Sequence, residues 1–253
     1  MAELATLMQT VQAQADALLI VFFRMSAFFA LLPGFGERTV PTRVKLIIAF
    51  ATTIVVTPLI EIPDGTPITI LVIATEAIAG LAFGLGVRLF ILALQTAGSI
   101  AAQATSLAQL LGGNGADPLP AMGHILIVAG LALAVMHGIH ISAIQLIVSS
   151  YQLIPIGEFA DAAMITPWGI HRVSRAFNFA FSLAAPFVIL SVIYNLAMGA
   201  INRAMPQLMV AFVGAPLITA GGLFLLFLAA PLMLAVWVEE LDRFMISPMQ
   251  GGN

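Results

Sequence analysis

The sequence predicts an all-α membrane protein built from about six apolar helices, and three observations support this class. Hydrophobic residues make up 61% of the 253-residue chain and charged residues only 8%, whereas soluble domains carry about 25% charged residues. Long apolar runs approach the roughly 20 residues that a helix needs to cross a bilayer core about 30 Å thick. Gly- and Pro-rich turns separate these runs. Because lipid offers the backbone no hydrogen bonds, each run is expected to be helical.

The runs expected to form helices follow one another along the chain. They are residues 17–32, 44–60, 68–94, 122–149, 174–200 and 207–238. No positive charge precedes the first run, and we find no convincing small-residue cleavage site, so we expect this run to remain in the mature protein. The chain has no cysteine, which excludes disulfides and cysteine-ligated metals. Its net charge of −3 argues against a nucleic-acid-binding surface.

The third run has the features of an internal, closely packed helix. Gly80 and Gly84 form a small-xxx-small pair, which lets two helix backbones approach each other. The same run carries Glu76 and Arg88, which lie about 18 Å apart along a helix and cannot pair with each other. An unpaired charge in lipid costs at least about 2.5–3.5 kcal/mol. We therefore expect both residues, and Arg24 in the first run, to find partners on other helices or subunits; an ion path is the alternative.

A stripe of uncharged polar residues follows the third run. Its members recur at spacings that place them on one face of a helix: Gln95, Ser99, Gln103 and Ser106. Such a face could line an aqueous conduit, or it could hydrogen-bond to neighbouring helices in a membrane bundle. The spacing alone does not separate these two interpretations.

A Gly- and Pro-rich segment, residues 112–123, divides the chain near its midpoint. We expect it to connect an N-terminal helical half, residues 1–111, to a C-terminal helical half, residues 124–253. Its glycines, asparagine and prolines favour a turn-rich loop. Because the segment comes directly after the polar stripe, it could face the same conduit; a surface connector is the alternative.

Basic residues predict the orientation of the first two helices. Arg38, Arg43 and Lys45 cluster around the first loop, whereas the N-terminus and the loop after the second run carry only acids. The positive-inside rule places basic loops on the cytoplasmic side. The first loop is therefore expected in the cytoplasm and the N-terminus on the opposite, periplasmic side.

Motifs for catalysis or cofactor binding are weak in this chain. His137 and His140 are spaced for a metal-binding pair on one helix, but no H-E-x-x-H motif is present and cysteine is absent. Packing or hydrogen bonding to a neighbouring helix is the preferred interpretation of this pair. No nucleophile elbow, P-loop or dinucleotide fingerprint occurs in a strand–helix setting. We therefore expect no enzymatic activity, no cofactor and no metal.

A polar segment, NRAMPQLMVAFVGAP, separates the last two apolar runs. A single lipid-facing helix would hardly tolerate its asparagine, arginine, glutamine and two prolines. Irregular backbone at membrane depth is tolerated only where protein surrounds it or where it lines a water-filled cavity. Broken helices also occur in secondary transporters, which would place a substrate near Pro206 and Pro216, although we detect no inverted repeat.

Four segments of the chain match, in order, the signatures of one known protein family. The first is LLPGFGERTVPTRVKLIIAFATTIVVTP, which includes Arg43 and follows a helix containing Arg24. The second and third are EAIAGLAFGLGVRL and HGIHISAIQLIVSSYQLIPIG. The fourth is NRAMPQLMVAFVGAPLITAGGL, where Met209 replaces an asparagine that is frequent in the family. Its matching positions include Asn202, Arg203, Pro206, Gln207, Gly214 and Pro216. Taken together, the four segments resemble the FliR family of flagellar type III export-apparatus proteins.

The resemblance implies a core subunit of the export gate in the bacterial inner membrane, at the flagellar basal body. Family members join P-type and Q-type subunits (FliP and FliQ) in a helical ring, and the B-type and A-type export proteins (FlhB and FlhA) are further implied partners. The N-terminal half resembles a P-type subunit and the C-terminal half a Q-type subunit. The implied function is to form and close the channel through which unfolded flagellar proteins cross the membrane.

The resemblance also implies roles for individual segments. Residues 103–122 would form a plug in the closed channel, with the candidate plug residues Gly112, Gly113, Asn114, Gly115, Pro118, Pro120 and Met122. The polar stripe would then line the conduit. The break at residues 202–207 would be the bend of a helical hairpin covered by sister subunits. The alternatives are an injectisome export gate, a secondary transporter and a membrane enzyme.

Overall fold

The computed structural model describes residues 2–37, 39–63, 65–105, 121–205 and 210–249. Within these ranges the regular elements are helices and no strand occurs, which confirms the predicted all-α class. The helices are α1 (Ala2–Leu31), α2 (Thr42–Val56), α3 (Ile70–Thr105), α4 (Ala121–Met136), α5 (Ile139–Leu153), α6 (Ala162–Ala204) and α7 (Val210–Ile246). A 3-10 turn, Thr57–Leu59, follows α2 directly.

The helices of the described ranges indicate a multi-pass membrane protein. Five hold spans long and apolar enough to cross a bilayer, and the bent pair α4 and α5 would make a sixth. The five spans are Glu3–Leu31, Thr42–Leu59, Ile70–Thr105, Ala162–Ala204 and Pro216–Ile246. Helices α3 and α6, with 36 and 43 residues, are longer than the predicted runs. They continue through polar residues because Gln, Ser and Arg are compatible with a helical backbone.

The predicted fourth run, residues 122–149, is not one helix. It is divided into α4 and α5, which meet at a bend of 73°. Gly138 lies at the break with a φ of +79°, in the left-handed region that glycine adopts without steric cost. This run therefore forms a bent pair of helices and not one straight helix. Many helices tolerate a single glycine within an apolar run, so hydropathy does not reveal the bend.

Side-chain caps and a glycine turn set several helix boundaries. At the start of α3, Thr69 Oγ1 accepts a hydrogen bond from Val72 N–H (3.3 Å). At the start of α6, Asp161 Oδ1 accepts one from Ala163 N–H (2.9 Å). These oxygens satisfy amide groups that the first turn of a helix leaves without partners. The turn after α1 contains Gly34, whose φ of +82° again requires glycine's freedom.

The chain packs as two compact units. The first comprises residues 1–89, 135–172 and 241–253, and the second comprises residues 90–134 and 173–240. Large side chains buried in the first unit include Arg24, Phe28, Phe83, Leu146 and Ile147. Those buried in the second unit include Leu94, Leu126, Phe187 and Trp237. The connector predicted at residues 112–123 lies, up to residue 120, outside the described ranges, so the division into two sequence halves stays a prediction.

Candidate functional site

A fully buried ion pair joins α1 to α3. Arg24 donates from Nε to Glu76 Oε2 (2.8 Å) and from Nη2 to Glu76 Oε1 (3.0 Å). Both side chains are 0% exposed. Two parallel hydrogen bonds between a guanidinium and a carboxylate are the strong form of this interaction. The expectation that these two charges have partners on other helices is therefore confirmed, and each is the partner of the other.

Further contacts complete a set of residues that we call the Arg24 cluster: Arg24, Glu76, Ser150, Tyr151, Ile154 and Gly157. Arg24 also donates to Ser150 Oγ (3.2 Å) and to Ile154 O (3.0 Å). Its guanidinium lies 3.8 Å from the centroid of the Tyr151 ring. Gly157 N–H donates to Glu76 Oε1 (3.2 Å). Both charges are thus paired and hydrogen-bonded, which is the condition for keeping them in an apolar interior.

Sequence reasoning identified only part of this cluster. Arg24 and Glu76 stood out as charges within apolar runs, whereas Ser150 and Tyr151 are ordinary residues near the end of a run. Ser150 meets Arg24 across 126 positions of sequence. A contact over that distance has no periodic pattern that a single sequence could show. The segment SSYQLIPIG resembles the family signature, but the resemblance alone did not assign it a role.

Two glycines of α3 bring this helix against the backbone of α1. A Cβ added at Gly84 would lie 3.0 Å from Leu31 Cβ and 3.0 Å from Phe28 O, and one at Gly80 would collide with Arg24 O. The close helix packing predicted from the small-xxx-small pair is therefore confirmed. Glu76, Gly80 and Gly84 are spaced by four residues, so they lie on one face of α3. The two glycines thus allow the approach that brings Glu76 to Arg24.

The polar stripe lies on the side of the last four turns of α3 that the described residues cover least. The opposite face is buried and consists of Leu94, Ala97, Gly98, Ala101 and Thr105. Gln95 and Ser99 are half-buried and Gln103 is exposed, while Ser106 lies outside the described residues. The described residues therefore leave part of this polar face, chiefly Gln103, available to water or to another protein.

The predicted plug residues lie mostly outside the described ranges. These are Gly112, Gly113, Asn114, Gly115, Pro118 and Pro120. Met122 is described: it is buried in the first turn of α4, and its Sδ lies 3.9 Å from Oγ1 of Thr105. Thr105 is the last residue of α3. The two residues that flank segment 106–121 therefore contact each other in the second unit.

The predicted break near residue 202 separates two antiparallel helices, α6 and α7. Arg175 near the start of α6 pairs with Glu240 near the end of α7 (2.7 Å between Nη2 and Oε2). At the other end, Gly214 of α7 packs against Tyr194 and Met198 of α6. This arrangement is the predicted helical hairpin. Its polar residues lie as follows: Asn202 and Arg203 are exposed in the last turn of α6, Pro216 is exposed in α7, and Pro206 and Gln207 lie outside the described residues.

Two other predicted polar residues, Arg43 and Arg88, lie away from these contacts. Arg43 is exposed in the first turn of α2, where its neighbour Lys45 donates to Gly36 O (3.0 Å). Arg88 is half-buried on α3, and none of the ion pairs found among the described residues involves it. A partner for Arg88 on another subunit stays a prediction.

A second buried arginine, Arg172, holds the residues that follow α7. Arg172 Nη2 and Trp168 Nε1 both donate to Pro248 O. The Arg172 guanidinium lies 4.7 Å from the centroid of the Phe244 ring, and the Phe83 ring packs beside Trp168 with a centroid distance of 6.2 Å. Sequence reasoning missed this contact, because its partners are about 80 positions apart and one of them is a backbone carbonyl.

His137 and His140 are the pair for which the sequence favours packing or hydrogen bonding over metal binding. His137 Nδ1 lies 3.9 Å from Asp242 Oδ2, and both side chains are about half exposed. His140 is exposed at the start of α5. In the part of the chain that the structure describes, no group of three or more His, Cys, Asp or Glu side chains could hold a metal ion.

Comparison with known proteins places the chain in a family. The profile of "Bacterial export proteins, family 1" matches residues 15–244. Flagellar biosynthetic protein FliR of Caulobacter vibrioides is 30% identical over 228 residues, covering 87% of this chain and 91% of the relative. The FliR proteins of Bacillus subtilis (30% over 214 residues; 79% and 81%) and Escherichia coli K12 (26% over 219 residues; 83% and 82%) match similarly. The chain therefore belongs to the FliR family of bacterial export proteins.

Proposed function

We propose that this chain is a core subunit of the flagellar type III protein-export gate in the bacterial inner membrane. In this role it helps form and close the channel through which unfolded flagellar proteins cross. Family membership supports a place in the flagellar export apparatus. The observation that carries the proposal of a channel is the uncharged polar face of α3, with half-buried Gln95 and Ser99 and exposed Gln103, which the described residues cover only in part.

The polar face of α3 suits a conduit wall better than a lipid-facing surface. An amide or hydroxyl moved from water into an apolar medium without a hydrogen bond costs roughly 2–7 kcal/mol. Gln95, Ser99 and Gln103 therefore favour water or a polar partner over lipid. The face carries no charge, so it neither attracts nor repels a passing polypeptide of either sign. The same chain neutralises its deeply buried charges internally, as the Arg24 cluster does.

The apolar surface of α6 supports assembly with other subunits. Val173 and Ile201 are both exposed, and their separation along this helix is about 42 Å. A hydrocarbon core is only about 30 Å thick, so lipid alone does not cover this surface. Sister subunits of the P-type and Q-type (FliP and FliQ) would bury the remainder, with FlhB and FlhA as further partners. Arg88 would find its acidic partner in the same assembly.

The proposed mechanism is passive gating without catalysis. Other components drive the exported chain, while this subunit contributes part of the wall and a displaceable obstacle, the segment between Thr105 and Met122. In the closed gate the obstacle blocks ions as well as polypeptides. During export the passing chain displaces it, and the uncharged wall lets segments of different composition slide past.

Deleting residues 112–115 is expected to make the membrane leak small ions while export of flagellar subunits continues. The shortened segment would no longer fill the closed channel, but the wall and the assembly would remain. The measurement is the potassium efflux of cells that carry the variant as their sole copy, together with secreted flagellin. Deleting the four residues 250–253 is the control and should leave efflux unchanged. Wild-type efflux in the first variant would contradict the plug.

Charge placed on the polar face of α3 is expected to change ion selectivity. In the leaking deletion variant, Gln103→Lys should lower the cation-to-anion permeability ratio several-fold, and Gln103→Glu should raise it, because charged side chains that line a pore select the opposite sign. Gln145→Lys is the matched control, since Gln145 is an exposed glutamine on α5 outside the stripe. Equal effects at both positions would contradict the assignment of the α3 face to the conduit.

Purification in a mild detergent tests the proposed assembly. The tagged chain is expected to co-purify with FliP and FliQ as a complex of fixed composition. A monodisperse chain that stays folded alone in micelles and transports a small solute would instead support a secondary transporter. Recovery with virulence-associated secretion subunits would support the injectisome alternative.

A further inference from the structure

Helices α3 and α4 contact each other backbone to backbone at Gly98 and Gly123. A Cβ added at Gly98 would collide with Gly123 Cα, and it would lie 2.7 Å from Gly123 N and 3.3 Å from Met122 C. All three atoms belong to the backbone of α4, so no side chain can rotate away to make room. Any residue other than glycine at position 98 therefore requires the start of α4 to move.

At the same contact, a side chain is tolerated on the α4 glycine, Gly123. A Cβ added at Gly123 would lie 3.6 Å from Gln95 O and 3.7 Å from the Cα and carbonyl carbon of Gly98. These are ordinary van der Waals distances, so alanine fits at position 123 without a shift. The two glycines of one contact thus differ in what they allow, which provides a matched pair of substitutions.

Contacts at the end of α3 reinforce this arrangement. Thr105 is 2% exposed, and its Oγ1 contacts Met122 Sδ and donates to Ala101 O (2.9 Å). On its other side, a Cβ added at Gly222 of α7 would lie 2.7 Å from Thr105 Cβ. Small residues therefore let α3 approach both α4 and α7. Gly98 and Thr105 belong to the buried face of α3, opposite the polar stripe.

We infer that Gly98 is a positioning residue for the gate, and this inference rests on the proposed function. By admitting the α4 backbone, it sets the distance between the end of α3 and the start of α4. It also keeps the polar stripe of α3 turned away from the chain's own packing. Moving Gly123 N alone from 2.7 Å to an ordinary 3.4 Å requires a displacement of roughly 0.7 Å, and Gly123 Cα, which lies closer still, requires a larger one. Close-packed interiors transmit such a displacement to the neighbouring elements.

The test compares Gly98→Ala with Gly123→Ala in cells that carry each variant as the sole copy. Three quantities are measured: potassium efflux, secreted flagellin, and recovery of the detergent-extracted complex. Gly98→Ala is expected to raise efflux several-fold while the complex is still recovered, and Gly123→Ala to match the wild type in all three. A purely structural role would instead lower recovery and secretion together. Wild-type efflux for Gly98→Ala, or equal efflux for both variants, would overturn the inference.

A second pair of variants covers the case in which Gly98→Ala is not recovered as a complex. Gly222→Ala would bring a methyl group of α7 too close to the Thr105 side chain, and it is expected to raise potassium efflux. Adding Thr105→Gly to the same chain removes the side-chain atoms that clash, so potassium efflux should return to the wild-type level. A tight Gly222→Ala complex, or a leak that Thr105→Gly does not relieve, counts against the positioning role. The deletion of residues 112–115 serves as the reference. If it leaks and the glycine variants do not, only this inference fails; if none leaks, the plug fails as well.

Discussion

Replacing Arg24 by alanine is expected to destabilise the folded chain by about 3–5 kcal/mol, because it leaves the buried carboxylate of Glu76 without its charge partner. The total stability of a folded domain is only about 5–15 kcal/mol. The substitution also removes the donors to Ser150 Oγ and Ile154 O. The expected result is a large loss of folded protein from the membrane and a lower unfolding midpoint in detergent.

A control variant and a double variant separate the ion pair from general disturbance. Arg175→Ala breaks a second ion pair, whose side chains are 34% and 20% exposed, so water screens this pair more than the fully buried one and its loss should cost less. Replacing both charges, as Arg24→Met with Glu76→Leu, should recover part of the loss, because no buried charge remains unpaired. Recovery stays partial, since Ser150 and Gly157 still lose partners. Equal losses for Arg24→Ala and Arg175→Ala would contradict the role of burial.

Replacing Trp237 by alanine is expected to cost about 3–5 kcal/mol, as for other fully buried aromatic residues. Trp237 is 1% exposed, and its ring lies against Gly130 of α4. Its Nε1–H donates to Phe90 O on α3 (2.8 Å). The indole therefore fills the space between α3, α4 and α7 in the second unit, and alanine would leave a cavity there. The measurement is the unfolding midpoint in detergent.

Two aromatic substitutions on α7 serve as comparisons for this result. Trp237→Phe keeps most of the packing and removes one hydrogen bond, worth about 0.5–1.5 kcal/mol, so its effect should be clearly smaller. Phe227 is 76% exposed, so Phe227→Ala should leave the unfolding midpoint of the isolated chain nearly unchanged. In the assembled gate the same substitution should weaken co-purification, because sister subunits would cover this surface. An unfolding loss for Phe227→Ala as large as that for Trp237→Ala would show that the burial of Trp237 does not govern stability.

The sequence by itself determined the class of the protein, the presence of five to six apolar helices long enough to cross a bilayer, and the need of its buried charges for counter-charges. Apolar runs of about 20 residues and a very low charge content have one stable solution in a bilayer, the helix, because its backbone hydrogen bonds are internal. The spacing of Gly80 and Gly84 predicted a close helix contact. The positions of Glu76 and Arg24 within apolar runs predicted that each needs a counter-charge, since isolated charges are costly in lipid. These are local or compositional signals, which a single chain displays directly.

Only the tertiary structure decided which residues meet. Glu76 could have paired with any basic residue, and its partner lies 52 positions away on α1. The bend at Gly138 and the asymmetric contact between Gly98 and Gly123 likewise depend on how helices cross. Hydropathy and spacing report which face of a helix is apolar, but several crossings can bury the same face. Which atoms touch is selected by steric fit and hydrogen bonding between distant segments, and that information exists only once the chain is folded.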